Sequence, residues 1–138
     1  MAVNHRKLRI AVLTIGGLPF QDQCRVINLV NNTDDPEIFH TFGGDDSSFA
    51  EEAEPSWALE LTAYADWRSD GISDFLTAHN GETLPFVADM HPNIVGEHTR
   101  RAGDVLIKAP SVGGEIRATE ETETTLAVIG EPSYERIG

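Results

Sequence analysis

Between Trp57 and Pro132 the sequence divides into short strand-like runs whose connections are too short to cross from one parallel strand to the next. Trp57–Tyr64 comes first. After a short helical stretch follow Thr83–Met90, Asn93–Arg100, Asp104–Ala109, Glu115–Glu120 and Thr124–Ile129, punctuated by Asn80-Gly81, Gly113-Gly114 and Gly130-Glu131-Pro132. That pattern restricts the chain to antiparallel pairing. The expected fold is mainly β, an antiparallel β-sandwich or barrel with one flanking short α-helix, and 138 residues suit a single domain.

Trp57, Leu59, Leu61 and Ala63 alternate with Ala58, Glu60, Thr62 and Tyr64, so this strand has one apolar face and one mixed face. The helix is expected at about 69–79: Ser69 or Asp70 caps it, Ile72, Phe75 and Leu76 form its buried stripe, and Gly81 stops it. Upstream, the β-branched runs Leu8–Ile15 and Cys24–Val30 read as strands, and Glu37–Phe42 as a weaker third. Residues 43–55 are acidic, small and polar, with Phe49 their only large apolar side chain, which is the composition of a mobile loop.

The net charge of −13 disfavours direct nucleic-acid binding, because phosphate affinity comes from Lys and Arg displacing counterions. The charge is unevenly spread: residues 1–33 carry +3, residues 34–66 carry −10 and residues 67–138 carry −6. The first two segments are therefore electrostatically complementary. Cys24 is the only cysteine, so neither an intramolecular disulfide nor a multi-cysteine zinc site is open to the chain. The basic N-terminus lacks a following signal-peptide apolar core, and no apolar run reaches the roughly 20 residues that span a bilayer. Assembly in a reducing cytoplasm without membrane insertion is expected.

No catalytic, cofactor or metal constellation emerges. Histidines at 5, 40, 79, 91 and 98 form no compact ligand motif, although His91 and His98 flank one hairpin turn and are the pair most worth locating. Cys24 lies in an apolar strand and reads as a small core hydrophobe, and the Gly-Gly pairs lack phosphate-loop spacing. Asp34, Asp35, Asp45, Asp46, Glu51, Glu52 and Glu54 lack the register of a calcium loop and read as solvated or interface charge. Trp57 and Trp67, at either end of the best strand, read as core or interface anchors.

The order of Thr41-Phe42-Gly43-Gly44, Trp57–Leu61 running into Tyr64–Trp67, Phe75–Phe86, Gly103–Ile107, Gly113–Glu115 and Ile129–Pro132 resembles the major tail protein family, the tail tube subunits of long-tailed phages, especially those infecting actinobacteria. The resemblance covers about residues 41–132; the first 40 residues match less distinctively, and no extra C-terminal domain of the kind some tube proteins carry is expected. It implies a β-sandwich with a flanking helix, six copies in a ring, and rings stacked into a hollow tube in the virion tail through which genomic DNA passes without specific binding. Implied partners are further copies of the chain, a tape measure protein, a tail terminator and distal tail or baseplate proteins, with no cofactor and no enzymatic activity.

An acidic lining suits that role, since it repels phosphate. Stacked rings need two different faces that fit each other, and the candidates for subunit or ring contacts are Arg6, Lys7 and Arg9 against Asp45, Asp46, Phe49, Glu51 and Glu52. Candidates for the channel lining are Glu60 and Thr62 on the polar face of the best strand, and Glu115, Arg117 and Thr119 on the strand expected after Gly113-Gly114. Alternatives are a tail terminator, a head–tail connector, an inner-tube protein of a contractile injection system or, from another class, a small carbohydrate- or peptide-binding module.

Overall fold

A computed structural model of the chain describes residues 7–35, 37–39, 42–43, 49–51 and 54–137, with backbone alone for 37–39 and 49–51. In chain order the elements are β1 (Ala11–Ile15), β2 (Leu18–Pro19), a 3-10 turn (Gln21–Gln23), β3 (Cys24–Asn31), β4 (Glu37–Phe39), β5 (Phe49–Glu51), β6 (Trp57–Tyr64), α1 (Ile72–Ala78), β7 (Thr83–Met90), β8 (Thr99–Leu106) and β9 (Glu121–Arg136). Seven strands form one antiparallel sheet in the order β2-β1-β7-β8-β9-β6-β3, curled into a half-barrel, and β4 and β5 pair separately as a hairpin. The protein is thus mainly β with a single short helix, as the alternating pattern requires.

Period-two alternation sets the two faces. In the β6–β9 register Leu59 faces Leu126 and Leu61 faces Thr124 on the concave side, while Glu60 faces Thr125 and Thr62 faces Glu123 on the convex side. The concave side holds the core: Leu13, Ile15, Leu59, Phe86, Val105 and Leu126 are essentially inaccessible, and α1 adds Ile72, Phe75 and Leu76. Each such large apolar side chain stabilises the fold by about 1.5–3 kcal/mol relative to remaining exposed. The two sides of the sheet are joined in sequence by the 3-10 turn, which buries Phe20 against Phe75 with ring centroids 5.1 Å apart.

The helix differs from expectation at its start. It begins at Ile72, with Gly71 as N-cap, because Arg68 to Gly71 close a turn (Gly71 N to Arg68 O 2.9 Å) and Asp70 adopts a left-handed φ of 63°. Neither Ser69 nor Asp70 caps it. The free N–H groups find tertiary partners instead: Ile72 donates to Gln23 Oε1 at 2.7 Å, while Ser73 and Asp74 donate to the Asp66 carbonyl at 3.2 and 3.3 Å.

Four further expectations are corrected. Asn93–Arg100 and Asp104–Ala109 are not two strands: His91 to His98 turn through hydrogen bonds from Ile94 to His91 and from Glu97 to Ile94, and a single strand, β8, then runs straight through Gly103. Gly103 packs beneath Phe86, where an added Cβ would lie 3.3 Å from the ring. Gly130-Glu131-Pro132 does not end a strand but forms a bulge inside the 16-residue β9, whose register on β8 shifts between Ala102 and Asp104. Residues 115–120 form a turn (Ala118 N to Glu115 O 3.2 Å) rather than a strand, since Ile116 is exposed and has no apolar face to pack on. Finally, the segment 43–55 includes β5, in register with β4 through Phe39 opposite Phe49.

Gly71 offers a direct check on the helix start. A Cβ there would lie 2.5 Å from Asp66 Cγ and 2.6 Å from its backbone oxygen. Gly71→Ala should destabilise the protein by about 1–3 kcal/mol, read as a lower urea midpoint with an unchanged slope; an unchanged midpoint would show that Asp66 does not hold the helix entry.

Candidate functional site

The convex face of the sheet is predominantly acidic. Strand alternation turns Glu60 of β6, Asp104 of β8, and Glu121 and Glu123 of β9 away from the core, all four exposed. Arg25 meets this group at one edge, donating to Glu121 at 2.9 Å. In register, Glu60 stands between Asn28 of β3 and Thr125 of β9. Carboxylates spaced along neighbouring strands of one face reinforce each other's potential and repel a polyanion.

Of the residues singled out for a lining, Glu60 occupies this face and is exposed. Thr62 points the same way but is only 9% exposed, lying between Val26 and Glu123 in register, so it offers little surface of its own. Glu115, Arg117 and Thr119 are exposed but belong to the irregular connection from β8 to β9, with Arg117 at φ 65°, and so share no strand face with Glu60. Asp104, Glu121 and Glu123 were not legible as partners of Glu60, because their facing depends on strand pairing. Of the contact candidates, Lys7 and Arg9 are exposed ahead of β1, Phe49 and Glu51 lie on β5, and Arg6, Asp45, Asp46 and Glu52 fall outside the described residues.

The histidine pair converges on a carboxylate. Asp89 of β7, with its side chain 8% exposed, accepts two hydrogen bonds from Arg100 of β8 (Nε to Oδ1 2.7 Å, Nη2 to Oδ2 3.0 Å). His98 Nε2 stands 3.3 Å from Oδ2 but off the hydrogen-bond line, and it and His91 Nδ1 are buried without a hydrogen-bond partner among the described residues. The Arg100 guanidinium holds the Asp89 carboxyl below the usual carboxylate range, with burial opposing and His98 adding to the effect. Among the described residues no three His, Cys, Asp or Glu side chains are grouped to hold a metal ion. This cluster ties β7 to β8 beside the turn that joins them.

At the opposite end of the concave side from α1, the half-barrel is open. A cavity of about 380 Å³ lies there, walled by Ile27, Leu29, Trp57, Met90, Arg101 and Tyr134. The Arg101 guanidinium is stacked over both rings, 5.1 Å from the Trp57 centroid and 4.8 Å from that of Tyr134. Trp57 thus shares the face of Leu59 and Leu61, as alternation demands, but lines the cavity mouth. Arg101 and Tyr134 escaped sequence reading because they meet only through the β8–β9 register beyond the bulge. Cys24 is half-buried, and burial pushes its thiol up to about 11, in keeping with a packing role rather than a nucleophile.

Among the described residues no helix is long and apolar enough to cross a membrane. No protein-family model matches the chain, and no curated protein matches it in sequence.

A depressed folded-state pKa makes Asp89 a stabilising group above its unfolded value of about 3.9, and that contribution is lost as pH falls through the folded value. Asp89→Asn should therefore be less stable than the wild type at pH 7, with the gap narrowing as the solution is acidified below about pH 4. Urea unfolding of both proteins at a series of pH values measures this; a gap that does not change with pH would contradict the pairing.

Proposed function

We propose that this chain is a structural virion protein, a tail tube subunit whose copies form rings that stack into a hollow tube, with the convex sheet face turned to the channel. The observation that carries this reading is the predominantly acidic outer face, where Glu60, Asp104, Glu121 and Glu123 stand out from the strands while Arg25 and Arg100 on the same face are each paired with a carboxylate, Glu121 and Asp89. A conduit for DNA must pass a polyanion without holding it, and a field of fixed carboxylates does so with no base contact. The edges of the sheet also support self-association. β3 leaves eight residues with one side unpaired, whereas β2 at the other edge is only two residues long, so the two edges are unlike and favour head-to-tail contact between copies. The order of motifs from Thr41 to Pro132 adds the family resemblance and, with it, the tape measure, terminator and distal tail proteins as partners in the virion.

Electron micrographs of the purified full chain test the assembly directly. Long hollow tubes are expected; isolated rings would favour a terminator or connector, and a monomer at all concentrations would contradict self-assembly. Tubes of a Glu60→Lys, Glu123→Lys double variant should retain DNA at 50 mM salt and release it as salt rises, while wild-type tubes retain none, measured by co-sedimentation at about 50 and 200 mM salt. Equal behaviour of the two would remove the convex face from the channel.

A further inference from the structure

We infer that the open end of the half-barrel is a receptor for the β4–β5 hairpin of a second copy of this chain, with Arg101 pairing with a carboxylate that the hairpin carries. This rests on the self-assembly reading and adds to it a specific acceptor site. The cavity is apolar and aromatic, yet it contains one permanent positive charge. The Arg101 guanidinium lies over both Trp57 and Tyr134, and among the described residues its only hydrogen bond is a 3.4 Å contact from Nη1 to the Pro132 carbonyl. Among the described residues no carboxylate lies within ion-pair distance of it. A guanidinium has five N–H donors in a fixed fork matched to a carboxylate, and stacking on two rings has already restricted this one. In a chain with 23 acidic and 10 basic side chains, that unpaired cation in an apolar wall is a site of charge complementarity.

The hairpin has the matching chemistry. Its second strand begins with Phe49, the only large apolar residue between Gly43 and Pro55, and Glu51 follows two residues later, with Glu52 and Glu54 beyond. Paired only as two strands and belonging to no larger sheet, it has the marginal stability of an isolated hairpin until it packs on something. β3 and β6 pair out to Asn31 opposite Trp57, and the ladder continues through Asn32 N to Ser56 O at 2.6 Å and Ser56 N to Thr33 Oγ1 at 2.9 Å. The eight residues after Asn31, to Phe39, are long enough to span up to about 26 Å when extended, sufficient to reach a neighbouring copy.

The test uses the full chain in a Cys24→Ala background. Two single-cysteine variants, Phe49→Cys and Thr99→Cys at the cavity wall, are given tags of different size, mixed, and treated with a short bis-maleimide. Cross-linked heterodimers are expected, and Arg101→Gln in the Thr99→Cys partner should lower their yield about tenfold, with Glu51→Gln in the Phe49→Cys partner acting in the same direction. Thermal unfolding of each variant separates loss of docking from loss of folding, and a stable Arg101→Gln protein that cross-links as the parent does overturns the pairing. Tubes that form without the cross-link would overturn the receptor while leaving self-assembly intact. A cross-link formed only within one chain carrying both cysteines would place the hairpin in its own cavity and overturn the second copy as occupant. Neither tubes nor cross-links would overturn both readings.

Discussion

The register between β6 and β9 is the constraint on which the rest of the molecule depends. With Leu59 opposite Leu126 and Glu60 opposite Thr125, every second residue of these central strands enters the core and the others face out. A slip of β6 by one residue would bring Glu60 into an apolar interior and expel Leu59, and a slip of β9 would do the same with Glu123 and Leu126, which combines the burial of unpaired charge with the loss of well-packed side chains. One register therefore fixes both the core and the acidic face.

A curled sheet needs something on its concave side, and this one has a helix of only seven residues. Such a helix has little stability alone. It is held by contacts from elsewhere in the fold: Gln23 Oε1 and the Asp66 carbonyl satisfy its first N–H groups, and Phe20 and the wall of the sheet cover its apolar stripe. A helix this short fills one end of the half-barrel and leaves the other open, where Trp57, Arg101 and Tyr134 stack around a cavity. The buried face, the acidic face and the open end are three consequences of the same geometry.

Much of the fold was legible where alternation and turn residues coincide. The bounds of β6 and β7 follow from their patterns to the residue, because both are framed by turn residues. The helix start was misread because its cap comes from Gln23, 49 positions from Ile72, and local side chains gave no sign of it. Gly103 and the Gly130 to Pro132 segment look like punctuation in one dimension; in three they are a close approach to Phe86 and a bulge opposite it. The exposed, polar-face position of Glu60 is legible because its own strand alternates cleanly. Its neighbours Asp104, Glu121 and Glu123, and the Arg101–Tyr134 stack, required knowledge of which strands pair, and two of those strands had been misdrawn.

We propose that the convex face, predominantly acidic, is the face a tube presents to its channel. A cryo-electron microscopy reconstruction of the assembled protein, at a resolution that traces side chains, measures this most directly. Lumen walls formed by the β3–β6–β9–β8 face, with Glu60, Asp104, Glu121 and Glu123 pointing to the axis, are the predicted result. A tube whose lumen is lined by another surface, with these four carboxylates on the outside or buried between subunits, would contradict it.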